Sequence, residues 1–494
     1  MKHYYFSVKA IFALTCIAGF LAFQQPADDL STIFKRINEE TLQHSKAYET
    51  LKDASKTIGH RLTGSANGKK AEDYAYNLLS SYGFKGSVKY MPFAVESWSR
   101  DSVALQVVPS QSDDFRSIKT VALALTPVFS DLKAEIIDCG NGLETDFEAL
   151  GDKVKGKIAL INIGIFPANP KLKNLHRSEK TALAIRYGAV GVIIANQVKG
   201  GVLLTGTASV TGKLISIPAV CISVEDGEKL REMLKTENKM QAHIFMKNRS
   251  GIINARNVVA TLKGSSLPDE KIIIGGHLDS WDLATGTTDN GLGSFTILEI
   301  ARIFKALNLK PKRTIEFVMF MGEEQGLLGS EAMVEKLLKA KQIDKVKYMV
   351  NLDMATNVIG FNTGGREEML PFFTETGKLI QKIDTAYQNK IQTAMGLHSD
   401  HQGFMMEGIP VTSPVGNPNP KMFECYHADC DDVRWANKQY LDNAARFTAM
   451  MLYALADAPE IPAKRLNSEA TRQFLVKQGL KQALQIANDW RWTD

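Results

Sequence analysis

The chain has no low-complexity block, no dominant cluster of one charge and almost no long apolar runs. With 44% hydrophobic and 23% charged residues, the first absence places it among globular proteins. Lys and Arg number 59 against 54 Asp and Glu, a net charge of +5. Spread over 494 residues without a basic patch, that excess gives no reason to expect nucleic acid. The one long apolar run is AIFALTCIAGFLAF, residues 10 to 23, behind Lys2, His3 and Lys9. It is short for a membrane span, which takes about 20 apolar residues, and reads as a secretory signal peptide over residues 1–25. The mature protein is therefore expected to be exported, periplasmic or extracellular, with no membrane span left. Cysteine is also scarce. Four of the five remain after signal removal: Cys139, Cys221, Cys425 and Cys430. Export would let them oxidise. Cys425 and Cys430 are near enough in sequence to pair, and free buried thiols are the other reading.

A chain of 494 residues is too long for one ordinary core, so more than one domain is expected. Residues 31–57 have helical spacing. A loop at 63–68 leads into another helix, which Gly83 stops. YMPFAVESW and SVALQVVP alternate as strands do. Residues 118–248 read as an insertion, a small β-rich module with no His-rich or carboxylate-rich knot and a covering or partner-binding role. From 250 the pattern becomes strand, helix, strand, helix: KIIIGGH, then an amphipathic helix over 294–308, TIEFVMFM, KYMVNLD, IPVTSPV and a helix over 437–457. Such alternation argues an α/β sandwich around a mostly parallel sheet. The body around the insertion would then be discontinuous, 31–117 and 249–460. The tail, 461–494, is read as a packing or dimer element, so a homodimer is allowed.

Chemistry-bearing groups stand where strands end. His277 ends KIIIGGH and begins HLDSWDLATGTTDNGLG, the stretch that holds Asp279 and Asp289. Glu323 and Glu324 follow TIEFVMFM, Asp353 ends KYMVNLD, and His427 lies in ECYHADCDD before the last long helix. Ligands gather at the carboxyl ends of strands in open α/β sheets. Two histidines and several carboxylates suit zinc, with cobalt or manganese as substitutes. The set exceeds what one catalytic zinc needs and fits two metals sharing a carboxylate. Without a metal, carboxylates packed this closely would raise one another's pKa and destabilise the fold. Asp279, two residues beyond His277, could reach the second imidazole nitrogen.

GHLDSWD, TDNGLG, GEEQGLLGS, NLDM and YHADCDD, in that order and spacing, resemble the motifs of the co-catalytic zinc exopeptidases, the family of bacterial leucyl aminopeptidases and glutamate carboxypeptidases. GHRLTGSANGKKAEDYAYNLL is similar to that family's N-terminal segment, and residues 118–248 to the protease-associated domain that some members insert. GHLDSWD, LKPKRT and IPAVCISVEDGE look most like its plasma glutamate carboxypeptidase branch. The resemblance implies a three-layer sandwich around a mostly parallel mixed sheet, the zinc exopeptidase fold, and a metallopeptidase acting on dipeptides or short peptides with two zinc ions. It implies that Asp289 bridges the metals, that His277 and Asp353 complete one, and that Glu324 and His427 complete the other. Glu323 would be the general base and Asp279 would orient His277. Asp289–Asn290 becomes a candidate cis peptide. Tyr426, beside His427, could donate to the oxyanion, with His398 and His401 as rivals.

The match is not uniform. The family's last motif usually ends in Asp-Thr, and here Asp431 is followed by Asp432. LHSDHQGFMMEGIP is more similar to the aminopeptidase branch, so release from a free C-terminus and release from a free N-terminus both stay open. A carboxypeptidase needs a cation for the substrate carboxylate, and Arg366 is one candidate. Two further readings use the same fold: a binding protein lacking metal ligands, against which the complete set counts, and a single-zinc glutaminyl cyclase.

Overall fold

The computed structural model describes residues 29–109, 116–237 and 239–493. The signal-peptide segment lies outside the described residues.

A run such as Ile272–Ile274 makes a strand with both faces covered, because alternate residues point to opposite sides. Ile272 and Ile274 join one core with Phe317 and Met319 from the neighbouring strand. Ile273 joins a second core on the other face, with Val318 and Phe320. Helices Leu30–His44, Ala47–Thr57, Leu292–Ala306 and Lys438–Asp457 cover the first face. Leu328–Lys339, His401–Met406 and the tail helices cover the second. The result is the expected sandwich of helices, sheet and helices.

The strands Val411–Thr412, Val346–Asn351, Leu267–His277 and Arg313–Phe320 lie parallel in that order. Met240–Leu262 then pairs antiparallel with Arg313–Phe320. This 23-residue strand and the 22-residue strand Val88–Pro109 form one long antiparallel ribbon, with a register shift between Arg100 and Ser102. The ribbon runs out of the main body, and Phe129–Asp138 pairs with its far part. From there Ile158–Asn162, Gly191–Ala195 and Ala219–Ile222 continue in parallel. One sheet therefore runs through both halves, and the two strand-like segments expected at 90–109 are a single strand.

The helix expected at 294–308 is Leu292–Ala306, and it is buried rather than amphipathic. Every residue from Leu292 to Phe304 is buried, because other helices pack on its outer side. Its charged pair, Glu299 and Arg302, is satisfied internally, with Arg302 also reaching Glu40. The tail forms two helices, Ser468–Lys477 and Lys481–Ile486. Leu484 packs into the core behind the main sheet and Ile486 into the core of the inserted segment, so the tail straddles both.

Candidate metal centre

Three strand ends, one turn and one loop deliver the site. Leu267–His277 ends on His277, and Gly276 just before it lets the Leu352 carbonyl come so close that a Cβ would collide with it. Ser294 and Asn290 both bond the His277 carbonyl, which fixes the end of the strand. The Thr287–Gly291 turn carries Asp289, and the Asp289–Asn290 peptide is cis. Glu323 and Glu324 follow the strand Arg313–Phe320, and Asp353 follows Val346–Asn351. His427 sits in a loop with φ +55°, between Cys425 and Cys430, which are joined by a disulfide. Cys139 and Cys221 are free and buried.

These groups converge. Nε2 of His277 lies 3.1 Å from one Asp289 oxygen and 3.4 Å from Asp353. Nε2 of His427 lies 2.8 Å from the other Asp289 oxygen and 3.1 Å from Glu324. Two triads result, His277–Asp289–Asp353 and Asp289–Glu324–His427, sharing Asp289. Glu323 stands beside them, 3.9 Å from His277. His277 Nε2, Asp353 Oδ1 and Glu324 Oε1 are buried without hydrogen-bond partners. Buried polar atoms are normally paired, and orphaned nitrogen and oxygen donors aimed at common points fit divalent cations such as zinc.

The supporting contacts hold the imidazoles by their other nitrogens. His427 Nδ1 donates to the Thr205 carbonyl of the inserted segment at 3.2 Å. His277 Nδ1 donates to the backbone carbonyl of Asp279 at 3.1 Å. The Asp279 carboxylate is 3.7 Å from that nitrogen and accepts instead from the Glu323 amide at 3.4 Å. Asp279 thus touches His277 chiefly through its main chain. Ser399 donates to Asp353 at 2.7 Å. Asp431 accepts from the amides of Thr288 and Asp289 at 2.7 and 3.1 Å.

The electrostatics fit a bound cation. Burial works against a charged His277, yet Glu323, Asp353 and Asp289 hold its pKa well above the ordinary value. Burial also opposes ionisation of Asp289, but the two imidazoles keep it well below the usual carboxylate range. Glu324 is pushed up to about 7 by burial, with Asp289 adding to the rise. Burial, then Asp353 and Glu324, raise Glu323 well above its usual value. A cation held by these groups would favour their ionised forms.

The centre opens into a cleft of about 610 Å³. Its walls come from the main body, from the inserted segment at His176–Glu179 and Thr207–Thr211, and from tail residues including Ala483 and Leu484. Tyr426 lines it, stacked on His427 with ring centroids 3.9 Å apart. His398 lines it too, stacked on His176. His401 does not face the cleft. It is buried, with Nδ1 near Asn351 and Nε2 bonded to the Gly396 carbonyl. Arg366 is also elsewhere, bound to Glu368 and the Lys464 carbonyl.

Sequence reasoning passed over Arg61, Ser399, Thr205 and Arg177. Arg61 is fully buried and donates to the carbonyls of Leu278, Thr285 and Gly286, fixing the loop that carries Asp279 and leads to Asp289. It lies in GHRLTG, and an arginine between two closely spaced glycines was the available signal. The other three show their roles only through three-dimensional contacts.

Residues 257–452 match the model of peptidase family M28, and residues 127–230 match the PA domain. Carboxypeptidase Q of Xenopus laevis is 28% identical over 425 residues, covering 84% of this chain and 87% of that protein. Aminopeptidase YwaD of Bacillus subtilis (strain 168) is 26% identical over 462 residues, covering 91% and 93%. Among solved structures, a peptidase M28 precursor from Shewanella amazonensis superposes with a TM-score of 0.73 at 24% identity, covering 89% of this chain and 99% of that one.

Proposed function

We propose that the chain, whose residues 257–452 match the model of peptidase family M28 and whose residues 127–230 match the PA domain, is an exported exopeptidase that hydrolyses dipeptides or short peptides at a centre of two zinc ions. That its relatives are peptidases supports the reading of a metallopeptidase. The observation that carries the two-ion reading is the sharing of Asp289 between two triads in which every member but the half-buried Asp353 is buried. His277 and Asp353 would complete one ion, and Glu324 and His427 the other. When bound, the ions supply Lewis acidity and lower the pKa of the attacking water.

The chain's own residues do the rest. Glu323 is placed to take a proton from that water and return it to the leaving amine. Tyr426 stands on the cleft wall against His427 and would donate to the developing oxyanion. Asp279 ties the Glu323 amide to the His277 loop, so base and ligand move together. Export is supported by the charged and apolar N-terminal segment of the sequence. No helix among the described residues is long and apolar enough to cross a membrane.

The test is hydrolysis of an unblocked dipeptide by zinc-loaded protein, with Glu323→Gln as the control. Rapid turnover that Glu323→Gln abolishes without loss of bound zinc supports the reading. Turnover that survives the substitution removes Glu323 from the role of base.

A further inference from the structure

The cleft holds one acid that neither the metal centre nor the fold uses. Glu331 lines it from the first turn of the helix Leu328–Lys339. Leu327 and Leu328 line the cleft just before it, and Leu397 and Leu484, which share one apolar cluster, line it as well. The neighbouring acids are all engaged. Asp489 accepts from Gln402 at 3.3 Å, Glu335 pairs with Lys339, and Glu407 is held by Arg465 and Arg491. Among the described residues, Glu331 alone of these four has no hydrogen bond and no ion pair.

The position of its carboxylate is built. It rests on Gly403 of the helix His401–Met406, so closely that a Cβ there would stand 2.7 Å from Oε1. Ser399, just before that helix, holds Asp353, so Glu331 and the metal centre share a support. Glu331 nevertheless stands apart from the metal-binding groups. The charges that act on it are Asp489, Arg491 and Glu407, with no group of the two triads among them. Arg177 acts instead on His427 and Tyr426. Burial, then Asp489, push the Glu331 carboxyl up to about 7, and the opposing charge of Arg491 is bonded to Glu407.

A carboxylate set among leucines without a partner gains most from a cation that arrives with the substrate. The same poorly solvated surroundings that disfavour its lone charge strengthen a pair. The backbone of a peptide being cleaved lies against the metals, so a carboxylate apart from them is reached by a side chain. Long basic side chains suit such a place, with an apolar stem for the leucines and a charged tip for the acid. We propose that Glu331 receives the cationic end of a lysine or arginine side chain of the substrate, so that the enzyme favours a basic residue at one of the two positions beside the scissile bond. The inference rests on the exopeptidase reading above and names its substrate class. It also gives the tail, through Leu484, a part in specificity.

The experiment measures kcat/KM of zinc-loaded wild type and Glu331→Gln on lysyl-alanine, alanyl-lysine and the two matching norleucine peptides, which keep the apolar stem and lack the ammonium. It is paired with calorimetric titration of the same four peptides into Glu323→Gln, with and without Glu331→Gln. The expected result is that wild type prefers one lysine peptide over its norleucine counterpart by about 10-fold or more, the scale of one hydrogen bond to a charged group. Glu331→Gln should erase that preference by raising KM for that lysine peptide alone. The norleucine peptides, cut as before, show that the variant is folded. Absence of a lysine preference at both positions of wild type would overturn the assignment. So would equal slowing of all four peptides by Glu331→Gln, the pattern of a residue that holds the fold or the terminal ammonium common to them. If wild type cuts no peptide, the exopeptidase reading fails instead. Glu331 is then judged by the titration, where equal binding of lysine and norleucine peptides overturns it.

Discussion

Asp289 stands between His277 and His427, with one oxygen 3.1 Å from Nε2 of the first and the other 2.8 Å from Nε2 of the second. A single carboxylate thus faces both imidazoles, and each imidazole is pinned from behind by a backbone carbonyl. These carbonyls orient both imidazoles toward Asp289, as supporting partners orient metal ligands.

Glu323 is the group whose removal should separate chemistry from metal binding. Glu323→Gln keeps the shape and the hydrogen bond from its amide to Asp279. We expect kcat to fall by about 10²–10⁴-fold, the usual worth of a positioned general base, with zinc content unchanged. Kinetics with elemental analysis on the same sample checks both.

Ser399 should matter without touching a metal. It bonds Asp353 at 2.7 Å and is itself held by Asn351. Ser399→Ala frees Asp353 to turn away from His277. Loss of such a supporting partner typically costs about 10–100-fold in metal affinity. Competition against a chromophoric chelator measures it, and unchanged affinity would show that Asp353 is held without Ser399.

Arg61 should be a stability residue as well as a loop anchor. Replacing it by Met leaves the carbonyls of Leu278, Thr285 and Gly286 without their donor in a buried place. At about 1–3 kcal/mol for each buried polar group left unpaired, we expect a loss of about 3 kcal/mol or more in urea unfolding.

The metal-free protein should lose stability as pH rises. Glu324 goes from an ordinary value of 4.5 to about 7 in the folded state, and Asp431 from 3.8 to about 6, burial being the first cause of each. Between those limits the unfolded chain is ionised while the folded one still holds protons. The folded state therefore binds more protons, and stability falls as pH climbs from about 4.5 to about 7. The raised His277 and His427 act in the same direction, since their extra stability is present below 6.5 and is lost through their folded pKa values. Asp289, held low, acts oppositely, but only near and below 3.8. Zinc should remove the trend, because binding replaces those protons. Tm against pH, with and without zinc, tests this. A metal-free Tm that rises over the window would contradict it.

Much of the centre was legible because strand ends are legible. KIIIGGH, TIEFVMFM and KYMVNLD announce their own ends by apolar runs that stop at a charged group, and the fold brings those ends to one edge. The long ribbon was less so. Its pairing joins Val88 to Ala260 and Pro109 to Met240 along the whole length, a non-local ladder that two short alternating segments do not reveal. The helix at Leu292 misled in another way. It was expected to be amphipathic, but its Glu299 and Arg302 pair with each other inside the protein. Arg366 and Arg177 are indistinguishable as letters. One is satisfied by Glu368 and the other faces the cleft without a partner, a difference that exists only in three dimensions.

The most direct measurement is the zinc stoichiometry of the purified protein, by elemental analysis of wild type and Asp289→Ala after dialysis against metal-free buffer. Two zinc ions per chain in wild type, with both weakened by the single substitution, is the predicted result. One ion per chain, or two that survive the loss of Asp289, would contradict the shared-carboxylate centre.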